Sequence, residues 1–573
     1  MTRFDSRDRR RCITRARVGA SLGWALLLVL GPLVLAACGG GEQAGKLVPP
    51  PEPAPLPRVV VSIPDANLRA AIEARLEKES DATIYVDEME TIIDFASRSR
   101  EIEDLRGLES ARRLRRLDLS RNDVSDLSPL SDLTSLEELY LSHNGVEDLG
   151  PLTGLASLQD LRLAFNQVSD LTPLTGLTEL THVELSNNSI QGISPLSNVT
   201  ALEELHLSHN EVLDLTPLAG LAALTSLSLS GNEISDLTPL SDLTALKELY
   251  MSGNAIEDLG PLTGLTALTV LGISANDITD LAPLTGLFAL ESLTAGINNI
   301  ADLTPLTGLT ALSTLSLGRN EISDISPLTD LTALTVLYLL SNDVADLTPL
   351  TGLTRLRFLS ISDNEISELS PLEELTALIT LYLSENDVSD ISQLSGLTAL
   401  MNLSLDRNSV SDVTPLSGMT ELKHLTVSYN SVSDVTPLAA ATGLEHLELD
   451  HNPLSDVTSL SGLTALEYLD LSRTDTSDIS PLSGLTALEH LDIDNNSVSG
   501  LSPLTDLIEL RVLSLRDNDI SELSPLVENT GLGEGDKLDV RRNPLSDASL
   551  DEHIPALEER GVNVTFDQPD VTD

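Results

Sequence analysis

The sequence predicts an α/β repeat solenoid: a right-handed coil with a concave parallel β-sheet, short helical or 3₁₀ turns on its convex side, and a helical N-terminal cap. Three observations predict it. A nine-residue frame, Leu114-x-x-Leu117-x-Leu119-x-x-Asn122, returns every 22 residues. Of the nineteen in-phase positions from 122 to 518, eighteen are Asn and one is Thr474. The other half of each unit reads as Asp126-Leu127-Ser128-Pro129-Leu130 does. A fixed period of this length means stacked units, none of which buries its apolar face alone.

The strand comes first within a unit. Leu117 and Leu119 alternate, so both point inward, while Arg116, Asp118 and Ser120 point outward. Asn122 stands where the chain leaves the strand. Its amide offers an acceptor and two donors, enough to serve backbone groups of its own turn and the next. Asn144, Asn166, Asn210, Asn232 and Asn254 continue the column, so a buried ladder is expected, with a weak point at Thr474.

The turn comes next. Ser or Thr precedes Pro, an N-cap side chain followed by Pro at the first helical position. The cap is Ser or Thr in 16 of 19 repeats, and Pro follows in 17 of 19. The Asp four residues after each Asn, present in 15 of 19, reads as an acceptor for backbone N–H groups; the alternative is a calcium ladder. Strands about 4.8 Å apart over roughly 20 repeats give a sheet about 95 Å long.

In chain order, residues 1–37 read as an export signal. Seven Arg precede the apolar run Ala25–Leu35, which ends Leu35-Ala36-Ala37-Cys38. A membrane-spanning anchor is the other reading, since Val18 to Cys38 is uncharged. Residues 38–57 carry six Pro between 49 and 57, a tether. Residues 58–100 form the N-terminal cap, with Leu68, Ile72 and Leu76 on one helix face. The solenoid runs over 101–526. Residues 527–573 form a C-terminal cap and tail: a three-residue insertion, a helix near 549–561 and a closing strand at 562–566. The insertion's Gly531-Leu532-Gly533-Glu534-Gly535 is acidic and precedes a strand, so it reads as a loop and not a phosphate cradle.

The net charge is −54, and residues 1–37 contribute +5 of it, so nucleic acid is disfavoured. Aromatic residues make up 2%, because repeated Leu builds the core. Cys12 and Cys38 are the only cysteines, so no disulfide braces the repeats. No Gly-x-Ser-x-Gly, His-Glu-x-x-His or P-loop motif is present, and a non-enzymatic protein is expected.

The Leu/Asn frame and its period resemble bacterial leucine-rich repeats of the 22-residue, internalin-like type, over residues from about 58 to 569. The resemblance implies adhesion or receptor binding. Leu35-Ala36-Ala37-Cys38 resembles the lipobox of bacterial lipoproteins, which implies cleavage before Cys38, a lipid on its sulfur, and repeats held outside the cytoplasm at the cell envelope. No wall-sorting segment or immunoglobulin-like domain follows the repeats, a departure from invasion proteins of that family.

Outward strand positions are free to vary, so recognition residues gather there. Positions six, four, two and one before each in-phase Asn hold Tyr140, Tyr250, Tyr338, Phe358, Tyr382, Tyr429 and Tyr468, and eight of nine His. Val336, Tyr338, Leu340, Phe358 and Tyr382, on three neighbouring strands, form the expected protein-contact patch. A second group contains His446, Asp470, His490 and Asp492, donors suited to zinc or another divalent ion but without a fixed ligand spacing. Three functions follow: a lipid-anchored scaffold gripping a protein on the concave face, a charged envelope spacer screened by calcium, or a carbohydrate binder.

Overall fold

The computed structural model describes residues 58–567. The signal segment, Cys38, the Pro-rich tether and the tail beyond Asp567 lie outside the described residues. Within them, 22 strands form one parallel sheet. Each strand pairs with the next in chain order, from Asp94–Ala96 beside Arg116–Asp118 to Lys537–Asp539 beside Asn563–Thr565. The register advances by one repeat throughout the regular part, so Leu337 faces Leu359, which faces Leu381. Short 3₁₀ turns such as Ser128–Leu130 and Thr348–Leu350 connect the strands. Among the described residues, no helix is long and apolar enough to cross a membrane.

The core is the stack of inward columns. Leu114, Leu117, Leu119, Val124, Leu127, Leu130 and Leu133 are buried in the first full unit, and their equivalents are buried down the chain. The cap covers the first unit through the helix Ala66–Arg75, whose Leu68 and Ile72 are fully buried. Asp65 joins cap to repeats. Its Oδ1 accepts from the Asn67 and Leu68 N–H groups at 2.9 and 2.8 Å, and its Oδ2 from those of Glu103 and Asp104 at 2.9 and 3.2 Å. The sheet starts at Asp94, inside the segment assigned to the cap, because Phe95 already occupies the column of Leu117.

The asparagine ladder runs to the preceding repeat, not to the next one. Asn144 Nδ2 donates to Leu141 O at 2.9 Å and to Leu119 O at 3.0 Å, and its Oδ1 accepts from the Val124 N–H at 2.9 Å. Asn122, Asn166, Asn210, Asn232 and Asn254 donate in the same way. At position 474 the Thr hydroxyl lies within hydrogen-bond distance of Leu471 O, Thr476 Oγ1 and Asn496 Oδ1. The Leu454 N–H, which an Asn at 474 would serve, turns to Asn452 O instead.

The turn is capped differently from the sequence expectation. Ser128 is the first residue of its turn, and no side chain caps it. The acceptor is the column Asp two residues earlier: Asp126 Oδ1 takes the Ser128 N–H at 2.8 Å, and Asp346 Oδ1 takes that of Thr348 at 2.8 Å. The hydroxyls of Ser128 and Thr348, together with these N–H bonds, hold the Asp126 and Asp346 carboxyls below the usual carboxylate range. The residue just before each Asn takes the left-handed conformation, with φ of 54° at Tyr429, 53° at His451 and 57° at Ile297. The repeat therefore leaves its strand through a backbone bend that Asn's hydrogen bonds secure.

Candidate functional site

The open face of the sheet carries three kinds of surface. The first is the aromatic cluster. Tyr338 and Phe358 have ring centroids 4.5 Å apart, and Phe358 meets Tyr382 edge-on at 5.6 Å and 84°. The register creates this: Val336 faces Phe358, and Tyr338, Ser360 and Tyr382 share one row. Ser360 and Thr380 are the small register partners of the rings, and both are buried. Leu340, two residues beyond Tyr338, lies over Gly318, where an added Cβ would stand 2.8 Å from Leu340 Cδ2. Tyr382 remains 38% exposed, so the cluster is a presented surface and not part of the core.

The second surface is acidic and imidazole-rich. His446, Tyr468 and His490 stack, with centroids 4.2 and 4.4 Å apart and rings nearly parallel. The Tyr468 ring lies between the two imidazoles, so they do not converge. His446 Nε2 is 2.7 Å from Glu448 Oε1. His446 and His490, two of the four residues offered for a metal with Asp470 and Asp492, are thus kept apart by a ring, and among the described residues no group of three or more His, Cys, Asp or Glu is placed to hold a metal ion. Burial pushes the Tyr468 hydroxyl up to about 12 and lowers His490.

Asp492 is the most perturbed carboxyl on this surface. Burial, reinforced by Asp470 and Asp494, pushes it up to about 7 against one N–H bond from Asp494. The folded chain thus holds that proton more tightly than an unfolded Asp near 3.8. Its contribution to stability is full below the unfolded value and is lost as pH rises to about 7. Asp492→Asn keeps the acceptor for the Asp494 N–H and removes the charge. We expect a gain of about 1–2 kcal/mol at pH 8, after discounting for remaining solvent contact, and little change at pH 4. Thermal unfolding at the two pH values checks it; equal shifts at both, or a loss at pH 8, would be the wrong sign.

The third surface lies near the first strands. The Tyr140 hydroxyl is 2.7 Å from Glu138 Oε2 and 2.9 Å from Asp160 Oδ2, and its ring sits between the Arg116 and Arg162 guanidinium groups at 5.3 and 4.8 Å. Its polar tip is already engaged. Tyr250 lies against Gly272, which leaves room for its ring. Tyr429 stands apart from the aromatic cluster on the strand-exit edge, stacked on His451 at 3.7 Å with Arg407 at 4.3 Å from its ring. Asp118, expected to be outward, is fully covered by Arg98 and Ser120.

Two family models match this repeating pattern. One, described as "Leucine Rich repeats (2 copies)", matches in overlapping windows across 112–286, 310–374 and 464–508; the other, "Leucine rich repeat", matches 420–476. Together they take in more than half of the chain. The chain belongs to the leucine-rich-repeat family.

Among solved structures, this leucine-rich-repeat protein is similar to the internalin inlF from Listeria monocytogenes, with 36% identity and a TM-score of 0.55 over 57% of this chain and 96% of that one. It shares the fold with the plant peptide hormone receptor RGFR1, at 21% identity and a TM-score of 0.64 over 84% of this chain and 81% of that one. It also shares it with the Leptospira interrogans leucine-rich-repeat protein LIC12759, at 22% identity and a TM-score of 0.57 over 67% of this chain and 97% of that one. No curated protein matches the sequence.

Two features of the repeat face escape a residue-by-residue reading. Asp406, in a column usually filled by Ser, is held by the hydroxyls of Ser384, Ser404 and Thr426 and by the Ser428 N–H at 2.9 Å. The charge of the face also changes abruptly along the stack, which columns read by charge, not by residue type, would have revealed.

Proposed function

We propose that this protein is a non-enzymatic, extracytoplasmic scaffold of the internalin-like type, lipid-anchored at Cys38, that binds a protein partner on the open face of its sheet. The observation that carries this reading is the cluster of Tyr338, Phe358 and Tyr382, three interlocked rings presented on a face of a strongly acidic chain. A half-exposed aromatic group with polar surroundings is the composition of a protein-contact hot spot. RGFR1 was solved with RGF2, and the receptor kinase HAESA from Arabidopsis with the peptide hormone IDA, which supports a polypeptide ligand for a solenoid of this fold. Basic residues before Ala25–Leu35 and the segment Leu35-Ala36-Ala37-Cys38 support export and lipidation.

The test is affinity capture with the full chain beside the same chain carrying Tyr338→Ser, Phe358→Ser and Tyr382→Ser. These rings lie outside the Leu columns, so the variant keeps its fold, which circular dichroism verifies. A partner recovered at least tenfold less by the variant is expected; equal recovery removes the aromatic cluster as the site. Cys38→Ser, followed by membrane fractionation, is expected to release the chain, and retention in the membrane fraction would refute the lipid anchor.

A further inference from the structure

The charge of the face divides along the stack. Across the strands from Val270–Gly272 to Thr380–Tyr382, the positions six, four and two before each Asn carry no charged residue. They are Ser, Thr and Gly, joined by Val270, Val336, Leu340 and the three rings. Beyond that point the positions four and two before Asn carry Asp406, Glu448, Asp450, Asp470, Asp492 and Asp494, with no Lys or Arg among them until Arg516. A hollow of about 540 Å³ at the junction is lined by Tyr382, Asp406, His424, His446 and Glu448 among others.

We infer that the face takes an extended, basic protein segment whose apolar side chain seats on the aromatic cluster and whose Lys or Arg residues lie over the acidic strands. This rests on the proposed function and adds the chemistry of the partner. The geometry allows one continuous ligand. Six strand steps of about 4.8 Å separate Tyr338 from Asp470, roughly 29 Å, which about nine extended residues span. Charge complementarity selects a cation: in a site crowded with carboxylates an acidic segment is repelled, while a guanidinium gains both the carboxylates and the exposed Tyr382 ring. The two adjoining surfaces have separate roles. The neutral track gives contact area without desolvating charge, and the acidic strands set orientation along the stack.

The experiment is an array of twelve-residue peptides that varies aromatic content and net charge independently, from −4 to +4, probed with the full chain. Two variants run beside it: Asp450→Asn with Asp470→Asn and Asp492→Asn, and Tyr338→Ser with Phe358→Ser and Tyr382→Ser. Expected is retention of peptides that pair an aromatic or Leu residue with a charge of +2 or more. In the Asn variant their retention falls at least tenfold and the charge preference disappears while the aromatic preference stays. Retention without a charge preference, the same preference in the Asn variant, or no retention overturns the inference. Where the Asn variant is unaltered but the Ser variant has lost its peptides, the aromatic contact reading survives and only the basic-partner inference fails. Where both variants match the parent, both fail.

Discussion

Replacing Asn386 with Ala is expected to lower stability by about 3–5 kcal/mol, among the largest effects of any single substitution outside the Leu columns. Asn386 is 8% exposed. Its Nδ2 donates to Leu383 O and Ile361 O at 3.0 Å each and approaches Ser384 O at 3.2 Å, and its Oδ1 accepts from the Ile366 N–H at 3.0 Å. Two of these contacts reach the preceding repeat. Ala leaves the Ile366 N–H and at least one carbonyl without a partner where water does not reach, at about 1–3 kcal/mol per group. The loss falls on the interface between repeats, the term on which a solenoid's cohesion depends. Asn386→Thr should lose less, because a hydroxyl at the same seat still bonds the carbonyl three residues back, as Thr474 does to Leu471 O at 2.8 Å. Chemical denaturation with amide exchange at Ile366 measures both. A loss below about 1 kcal/mol for Ala, or no ranking between Ala and Thr, would show that the ladder carries little.

The Leu and Asn columns were legible because burial acts on every unit alike and period 22 repeats the signal. What the columns hide is direction. Periodicity is the same whether Asn144 bonds the preceding or the following repeat, and only the strand-exit geometry selects Leu119 O and the Val124 N–H. The left-handed bend was invisible for a related reason. Gly231 and Gly253 mark it with the residue suited to it, but Arg121, Phe165, Ile297 and Tyr429 occupy the same seat, so no composition signal survives. The turn misled because Ser-Pro is a helix-start pattern, whereas a three-residue 3₁₀ turn leaves its first N–H to the Asp two residues earlier. At the sheet face, register put Tyr338, Phe358 and Tyr382 together as the sequence implied. It also put His446 and His490 on strands either side of Tyr468, whose ring stacks between the two imidazoles.

Gly531→Ala is expected to release the C-terminal closing elements at a cost of about 2–4 kcal/mol. A Cβ added at Gly531 would stand 1.9 Å from Ile508 O and 2.4 Å from its carbonyl carbon, backbone atoms that have no rotamer with which to yield. The glycine of this loop is therefore a site of close backbone approach. Beside it, Asn529 is fully buried; its Nδ2 donates to Leu504 O at 2.8 Å and Leu507 O at 3.0 Å, and its Oδ1 accepts from the Gly531 N–H at 2.8 Å. Arg560, from the far side of the cap, donates to Val527 O at 2.9 Å and to Asn529 O at 2.5 Å. Displacing residue 531 pulls on all of these, and they hold the helix Ile554–Glu559 and the strand Asn563–Thr565 over the last repeats. Loss of that cover exposes the Leu columns at the end of the stack. Gly533→Ala is the control, because its added Cβ would meet nothing closer than 3.8 Å. Amide exchange and limited proteolysis should show the segment after Leu526 opened in Gly531→Ala and closed in Gly533→Ala, with the earlier repeats alike in both. The same protection in the two variants would mean that the loop tolerates the extra carbon and that its tightness does not hold the cap.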